Sequence, residues 1–342
     1  MNFHYLDLSQ ISTLISTIEI DNCLFICDEN TFKNCFKKID CNAPYVILPA
    51  GEQHKNWQSV ELVIDKLIEL DLNRHVQIFN LGGGVICDIG GFAASIFQRG
   101  VRFYNIPTSL MAMVDAAYGG KTGINYLNIK NYIGSFNHPE DIYICPDFLS
   151  TLPEREILSA YAEIIKHTLL QGREHWLDLQ KHKPLDLEQE NWDILIRQSN
   201  QFKWTVVEAD FKDTGIRQSL NFGHTIGHGM ESTLLQRKVD TAHGEAVAAG
   251  IICELALSVQ LLNFPLDLFN DVQQRIDSIY TRLPIKKSDV AEIIDYASKD
   301  KKNSNGKIRC CLLKDLGLPV LNQAVEISLI KKVIHSYIEN DL

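Results

Sequence analysis

The first 150 residues alternate short apolar runs with a segment of helical periodicity. Between two of these runs, apolar residues recur at helical spacing over Trp57–Leu70 and indicate a helix. Strands that alternate with helices form mainly parallel sheets, which bind ligands at the carboxyl ends of their strands. The pattern therefore predicts a Rossmann-like α/β domain over residues 1–150. Its predicted strands are Cys23–Cys27, Tyr45–Leu48, Val76–Leu81, Phe103–Ile106 and Ile142–Cys145.

From Thr151 onward the apolar residues recur mainly at helical spacing. The sequence Leu152-Pro153-Glu154 is typical of a helix start, because proline suits the first turn and an acid complements the helix dipole. The pattern predicts a mostly α-helical second domain over residues 151–342, with one strand-like segment at Lys307–Leu313. Its predicted helices are Glu154–Leu170, Trp192–Ala209, Asn221–Leu234, Gly244–Leu262 and Asp267–Tyr280.

Composition and charge limit the kinds of molecule that this chain is expected to bind. A chain of 342 residues with 45% hydrophobic content suits two domains. Its formal charge of −10, without a dense run of lysine and arginine, argues against a nucleic-acid partner. The same charge does not exclude small anionic substrates, because a few cations can converge in one cleft.

The cysteines and the apolar stretches predict a cytoplasmic protein. The nine cysteines are scattered without a CxxC motif, which is typical of reduced thiols. The N-terminus lacks the basic and apolar regions of a signal peptide. Polar residues interrupt the longest apolar stretch, Ala246–Phe264, so we expect a buried helix and no membrane span.

A glycine-rich turn predicts a dinucleotide site. Gly82-Gly83-Gly84 follows a predicted strand and opens a helical pattern, where close backbone approach and helix-start N–H groups favour a pyrophosphate. A tight strand–helix turn without a ligand explains the same residues. Two further polar loops after strands favour the ligand, since Asp28 and Asn30 lie in one and residues 51–55 form the other.

Three segments of the predicted helical domain supply residues that can bind a metal. Glu163 lies in an otherwise apolar helical segment, His224 and His228 are one helical turn apart, and His243 precedes Gly244-Glu245. A carboxylate and two imidazoles with an open position make a catalytic zinc set. Buried histidines of an ordinary core are the alternative, and His228 is open to either a metal or an anion.

The segment Pro107–Gly123, between the dinucleotide motifs and the metal motifs, is rich in features of an anion site. Gly119-Gly120-Lys121-Thr122 resembles a P-loop, but Asp115 stands where that motif requires glycine, which excludes it. Lys121 in a glycine-rich turn still suits a phosphate. Solvated surface charge is the ordinary alternative for any one such cation. Further cations beside glycines or polar turns are Arg99, Lys130, Arg217, Lys301 and Lys302.

Taken together, these motifs resemble the 3-dehydroquinate synthase family, from Asp28 to about Lys302 and in the family's order. The motifs that carry the resemblance are GEQHK (51–55), GGGVICD (82–88), QRGVRF (98–103), PTSLMAMVDAAYGGKTG (107–123), KNYIG (130–134), TLPERE (151–156), AEIIKH (162–167), LNFGHTIGH (220–228), HGEAVAAG (243–250) and DKK (300–302).

The resemblance implies bound NAD and a divalent metal, zinc or else cobalt, with Glu163, His224 and His243 as metal ligands. The NAD-binding residues that it implies are Asp28, Asn30, Glu52, Lys55, Gly83, Gly84, Val85, Asp88, Thr108, Ser109, Asp115, Lys121, Lys130 and Thr151.

For the substrate, the resemblance implies three groups of contacts. Lys203, Arg217 and Asn221 match residues around a carboxylate, and Asp115 and Lys166 match residues around the hydroxyls. The implied phosphate contacts are Arg99, Lys121, Asn131, His228 and Lys301. In the family the equivalent of Arg99 reaches into a neighbouring subunit's site, which implies a homodimer. The residues expected to take part in catalysis are Asp115, Lys121, Lys166, Lys203, Arg217, Asn221 and His228.

The implied activity is conversion of 3-deoxy-arabino-heptulosonate 7-phosphate to 3-dehydroquinate and phosphate in the shikimate pathway. It comprises transient oxidation by NAD, phosphate elimination, re-reduction and aldol closure. The alternatives are a sibling cyclase of inosose or valiolone type for carboxylate-free sugar phosphates, a metal-dependent polyol dehydrogenase and a non-enzymatic binding protein. The chain departs from the family pattern at Ala50 (commonly Asp), Asp213 (usually Glu) and Ala116-Ala117-Tyr118 (more usually Ser-Ser-Val).

Overall fold

The computed structural model describes residues 1–39, 41–127, 129–298 and 306–342. These residues form two compact units. The first comprises Met1–Pro153 and Glu188–Trp204, and the second comprises Glu154–Leu187 and Thr205–Leu342. The apolar pattern places residues 188–204 in the second domain, whereas here they belong to the first unit. The domain boundary near residue 150 stays a prediction.

A six-stranded sheet forms the centre of the first unit. Its strands are β1 (Asn2–Tyr5), β2 (Cys23–Asp28), β3 (Tyr45–Leu48), β4 (Gln77–Gly82), β5 (Arg102–Pro107) and β8 (Asp141–Ile144). They are all parallel and lie in the order β1-β8-β5-β4-β2-β3, which confirms the predicted mainly parallel sheet. An antiparallel hairpin, β6 (Lys121–Tyr126) and β7 (Ile129–Phe136), was not predicted.

Helices pack against this sheet because their apolar faces match its buried strands. Val60, Val63 and Leu67 of one helix share a core with Leu24 and Ile26 of β2. The helices of this unit are α1 (Leu8–Ser16), α2 (Glu29–Asn34), α3 (Trp57–Glu69), α4 (Gly84–Ile96) and most of α7 (Gln189–Ala209).

One buried polar pair interrupts the apolar core of the sheet. Asn80 of β4 donates its side-chain amide to Asn105 Oδ1 of β5 at 2.8 Å, and Asn105 donates to the Ala117 carbonyl at 2.6 Å. Gly90 leaves room for this pair, since a Cβ there would lie 1.7 Å from Asn80 Oδ1. These hydrogen bonds therefore connect the centre of the sheet to the segment that contains Ala117.

The second unit is mostly helical, as the pattern predicts. Its central helix is apolar on all sides, and 14 of its residues are buried, Gly244 and Glu254 among them. The helices are α5 (Glu154–Gln171), α6 (Arg173–Leu179), α8 (His224–Gln236), α9 (His243–Leu262), α10 (Leu266–Ile279), α11 (Val290–Ser298) and α12 (Ile327–Glu339). A hairpin of β9 (Lys307–Asp315) and β10 (Leu318–Glu326) packs beside them.

Helix α9 alone among the described helices is long and apolar enough to cross a membrane. Its apolar window is 72% buried, as expected of a core helix. Helices α8 and α9 approach closely because glycines face each other, since a Cβ at Gly250 would lie 1.9 Å from the Gly223 carbonyl oxygen. This close approach brings together the two helices that carry the candidate histidines.

Candidate functional site

The carboxyl edge of the parallel sheet collects the residues proposed to bind a dinucleotide. Strand β2 ends at Asp28, β4 runs into Gly83 at the start of α4, and β5 runs into Thr108. The loop after β3 contains a 3₁₀ helix at Glu52–His54, and that after β8 contains one at Pro146–Thr151. Candidate residues on these segments are Asp28, Asn30, Gly83, Gly84, Val85, Thr108, Ser109 and Thr151.

Asp28 already has a structural role at this edge. Its carboxylate caps α2 by accepting a hydrogen bond from the Thr31 backbone N–H at 2.8 Å, and the Asp28 backbone N–H donates to the Thr31 hydroxyl at 2.9 Å. The cap fixes the direction of the carboxylate at the end of β2.

Lys55, Asp88 and Asn131 form a charged cluster that joins three segments. The buried Lys55 ammonium contacts Asp88 Oδ2 and donates to Asn131 Oδ1. Burial raises the pKa of Asp88 to about 6, and the Lys55 ammonium opposes that rise. Glu52 and Asn131 both bond to the side chain of Asn125, at 2.8 and 2.9 Å. The hairpin thus fastens to the loop of residues 51–55.

Asp115 and Lys203 meet as a second ion pair in the first unit. Asp115 lies in a π-helical turn, Ala112–Ala116, a rare element that is frequent at functional sites. The buried Lys203, on α7, donates to Asp115 Oδ1 at 2.6 Å and to the Asp115 carbonyl. Two candidate catalytic residues distant in the sequence are therefore in direct contact.

The remaining candidates of the first unit are exposed cations. Lys121 begins β6 after two glycines with positive φ, and Lys130 lies on β7. Arg99 follows α4 in the left-handed region, with φ of 71°.

Glu163, His224, His228 and His243 converge in the second unit. Glu163 is 1% exposed, and its Oε1 lies 3.3 Å from His224 Nε2 and 3.5 Å from His243 Nε2. One ligand atom from each of the three histidines falls within 4.8 Å of the others. The predicted ligands Glu163, His224 and His243 are thus together, with His228 beside them.

Neighbouring groups orient these side chains. His224 Nδ1 lies 3.1 Å from the Phe222 carbonyl oxygen, and His243 Nδ1 lies 3.2 Å from Glu231 Oε2. Such contacts fix the ring nitrogen that faces a metal. Sequence reasoning missed Glu231, although it lies seven residues after His224 on the same helix and hence on nearly the same face.

Lys166 makes Glu163 part of a buried charge network. Its ammonium contacts Glu163 Oε2, and both side chains are almost fully buried. Burial opposes ionisation of Glu163, but Lys166 and then His224 hold its pKa well below the usual range. Against burial, Glu163 and Glu231 raise the pKa of His243 to about 9. A carboxylate that is charged at neutral pH therefore faces two imidazole nitrogens.

This donor set fits a divalent metal. Nitrogen and carboxylate oxygen are the donors of catalytic zinc sites, in which three protein ligands leave a fourth position open. The same oxygen of Glu163 already lies within 3.5 Å of the ring nitrogens of both His224 and His243. A cation there would take the place of the protons that these imidazoles otherwise need to face a carboxylate.

Of the carboxylate-binding candidates in the second unit, Asn221 borders a cavity and Arg217 is held in a loop. Asn221 lines the cavity together with His224 and His228. Arg217 is buried and donates to the Phe211 carbonyl at 2.8 Å. Sequence reasoning missed Asp210, which holds this loop by accepting from the backbone of Thr214, Gly215 and Arg217. Lys301 lies outside the described residues.

Sequence reasoning also missed Glu254, a buried carboxylate that contacts the N-terminus of α8, the helix of His224 and His228. Glu254, on α9, accepts hydrogen bonds from the backbone of Gly223 at 2.7 Å and Ile226 at 3.1 Å. Burial raises its pKa to about 8, and these backbone bonds oppose the rise. Helical periodicity had identified it only as a polar interruption of an apolar stretch.

Two family models together match most of the chain. One, described as 3-dehydroquinate synthase N-terminal, matches residues 45–159, and the other, described as 3-dehydroquinate synthase C-terminal, matches residues 160–303. The chain belongs to the 3-dehydroquinate synthase family. The resemblance stated from the motifs is therefore confirmed.

Individual relatives extend the family match over nearly the whole chain. A 3-dehydroquinate synthase of Parabacteroides distasonis is 40% identical, over 93% of this chain and 91% of its own length. A 3-dehydroquinate synthase of Pelagibacter ubique is 36% identical, over 96% of this chain and 90% of its own length.

Solved structures show the same fold. A 2-deoxy-scyllo-inosose synthase complexed with carbaglucose-6-phosphate, NAD⁺ and Co²⁺ matches with a TM-score of 0.84 at 23% identity, covering 97% of this chain and 95% of the other. A 2-epi-5-epi-valiolone synthase from Streptomyces hygroscopicus subsp. jinggangensis with NAD⁺ and Zn²⁺ bound matches with a TM-score of 0.79 at 22% identity, covering 99% and 97%. At these identities the likeness concerns the fold.

Proposed function

We propose that this chain converts 3-deoxy-arabino-heptulosonate 7-phosphate to 3-dehydroquinate and phosphate, as a phosphate-eliminating lyase of the shikimate pathway. The observation that carries the proposal is the convergence of Glu163, His224, His228 and His243 in a chain of the 3-dehydroquinate synthase family. The family supplies the reaction, and the convergence supplies the donor set that the reaction requires.

The cofactors of the proposal are NAD and a divalent metal, zinc or cobalt. Glu163, His224 and His243 would hold the metal, and the carboxyl edge of the sheet together with Lys55 and Asp88 would hold NAD. When bound, the metal supplies Lewis acidity at a substrate hydroxyl, and NAD accepts a hydride and returns it in the same turnover.

The chain's own residues bind and orient the substrate in this proposal. Lys203, Arg217 and Asn221 take its carboxylate, and Asp115 and Lys166 take its hydroxyls. Direct ion pairs, Asp115 with Lys203 and Lys166 with Glu163, preorganise these groups in the folded chain. The phosphate contacts proposed are Arg99 from a second subunit, Lys121, Asn131, His228 and Lys301.

The phosphate-binding residues also lower the barrier to elimination. The departing phosphate takes the proton from the neighbouring carbon, so the protein need not supply a strong base at that atom. Negative charge grows on the phosphate as it leaves, and fixed cations stabilise the transition state more than the ground state. Lys121 has this role in the proposal.

A cytoplasmic homodimer is part of the proposal. Exposed apolar side chains of the hairpin offer a surface for a second copy, namely Tyr126, Leu127, Ile129, Tyr132 and Phe136. Sedimentation of the protein should give twice the mass of the chain, and a monomer would contradict this part.

The test is phosphate release from 3-deoxy-arabino-heptulosonate 7-phosphate with NAD⁺ and zinc, with the NADH absorbance band followed in parallel. We expect release that depends on both additions, without net NADH. Lys121→Ala should lower turnover at least about ten-fold, since it removes one contact to the developing charge. Lys66→Ala, which removes a surface ion pair with Glu69, is the matched control and should leave turnover unchanged.

The other outcomes distinguish the alternatives. No release by protein that binds NAD and metal would contradict the proposal. Turnover of carboxylate-free sugar phosphates would then indicate a sibling cyclase, and net NADH from polyols would indicate a dehydrogenase. The proposed carboxylate contacts of Arg217 and Asn221 favour the carboxylated substrate.

A further inference from the structure

Tyr118 is a buried tyrosine beside the ion pair of Asp115 and Lys203. It is 3% exposed and lies directly after the π-helical turn that carries Asp115. Its hydroxyl lies 2.6 Å from the Val114 carbonyl oxygen and 2.7 Å from Asn200 Oδ1. The hydroxyl has one proton and donates to one of these oxygens at a time. It therefore links the turn that carries Asp115 to the helix that carries Lys203.

The ring of Tyr118 contacts the same ion pair from another side. The Lys203 ammonium lies over this ring, 4.9 Å from its centroid, while it donates to Asp115. An aromatic face attracts a cation, and the attraction strengthens where water is excluded. Lys203 is thus held by a carboxylate and by a ring.

The ring itself is fixed by its neighbours. Phe3 packs edge-on against it, with ring centroids 5.0 Å apart and an interplanar angle of 85°. Asn200, which contacts the Tyr118 hydroxyl, donates its amide to the Tyr5 hydroxyl at 3.3 Å. An aliphatic residue such as valine would offer neither the π face nor the hydroxyl, so the pair would lose both contacts.

We propose that Tyr118 is a positioning residue that fixes Lys203 and Asp115 in the orientation that receives the substrate. The inference rests on the proposed function, in which Lys203 contacts the substrate carboxylate and Asp115 its hydroxyls. Tyr118 acts through this pair and does not touch the substrate.

Kinetics of Tyr118→Phe and Tyr118→Val test the role of the hydroxyl and of the ring. We expect Tyr118→Val to raise KM for the carboxylated substrate about ten-fold, with a smaller change in kcat, because the ammonium loses its ring contact. Tyr118→Phe should fall between Tyr118→Val and the unmodified chain. Tyr280→Phe is the matched control, since that buried hydroxyl bonds the Leu158 carbonyl in the second unit, and it should leave KM unchanged.

A double-mutant cycle separates this role from general stabilisation of the fold. In a Lys203→Met background, Tyr118→Phe should have little further effect on KM, because the group through which it acts is gone. Losses that multiply in the double variant would overturn the proposal, as would an unchanged KM in both single variants.

A labelling experiment tests the positioning without turnover. Lys203 should react slowly with an amine-acylating reagent, and faster in Tyr118→Phe and Tyr118→Val, as measured by peptide mass spectrometry. Lys66 is the internal control and should react equally in all variants. Equal protection of Lys203 in every variant would overturn the inference. An inactive unmodified protein with accelerated labelling in the variants would instead contradict only the proposed function.

Discussion

At the scale of single residues, Lys55 is a buried cation of the first unit whose loss should be costly. Its ammonium contacts both Asp88 and Asn131, so it balances a largely buried carboxylate and joins the hairpin to the edge of the sheet. Removing one partner of a buried pair leaves the other charge without compensation.

We expect Lys55→Met to lower the free energy of unfolding by about 2 kcal/mol, because the mostly buried Asp88 carboxylate is left without its cation. The affinity for NAD should fall as well. Urea unfolding and an NAD titration measure the two effects. Lys66→Met removes an exposed pair with Glu69 and should cost no more than about 0.5 kcal/mol. Equal losses in both variants would contradict a special role for Lys55.

Single residues also mark the limit of what the sequence can predict at the site. The spacing of His224 and His228 and the residues flanking His243 indicated a ligand set, because these motifs are local. The contacts of Asp115 with Lys203, and of Glu231 with His243, arise only when separate segments pack together. Tyr118 was recognised as a departure, but its role depends on packing against α7 that no local pattern encodes.

At the scale of elements, the N-terminus of helix α8 is capped by a carboxylate from another helix. The Ncap position is Gly223, which has no side chain to accept the first backbone N–H groups, and Glu254 of α9 accepts them instead. The position of His224 therefore depends on the packing of α8 against α9.

We expect Glu254→Ala to destabilise the protein by about 2 kcal/mol, because backbone donors at the start of α8 lose their acceptor. Zinc affinity should fall about ten-fold, since the backbone beside His224 loses its support. Unfolding curves and a zinc titration measure these effects. Asn56→Ala, which removes the cap of α3 in the first unit, is the comparison and should leave zinc affinity unchanged. An unchanged zinc affinity in Glu254→Ala would contradict the role.

The pH dependence of Glu254 follows from its raised pKa. Burial raises this pKa from 4.5 to about 8, so between these values the folded chain binds a proton that the unfolded chain does not. The contribution of Glu254 to stability is therefore present below pH 4.5 and falls as pH rises to about 8. The stability of metal-free protein relative to Glu254→Gln should decrease between pH 5.5 and 8, as urea unfolding measures; a constant difference would contradict the shift.

Most elements with long apolar runs or clear helical periodicity could be predicted from the sequence, whereas short or largely exposed elements could not. All five predicted sheet strands and all six predicted helices exist with ends shifted by up to three residues, because long apolar runs and clear periodicity determine them. Strand β1 and the hairpin of β6 and β7 were missed because they are short or largely exposed. Helices α11 and α12 were missed although both have clear apolar faces.

At the scale of the molecule, the proposed metal joins three helices of the second unit. Glu163 comes from α5, His224 from α8 and His243 from α9. A cation bound by three helices stabilises the folded chain, because the unfolded chain does not hold the ligands together.

We expect a chelator to abolish activity and to lower Tm, and zinc to restore both. At a zinc concentration about 100 times Kd, the stabilisation should be about 2.7 kcal/mol. Differential scanning calorimetry with and without zinc measures it. His243→Ala should abolish the zinc-dependent shift, whereas His335→Ala, on α12, should retain it. A shift of the same size in both variants would contradict the ligand assignment.

The length and hydropathy of α9 affect how the protein is expected to inactivate on heating. This helix has the length and hydropathy of a membrane span, and the packed second unit covers most of it. Once the unit opens, a continuous apolar segment enters water and can associate with the same segment of another chain faster than it refolds. Heat inactivation should then be governed by the rate of opening, and the apparent melting temperature should rise with the heating rate.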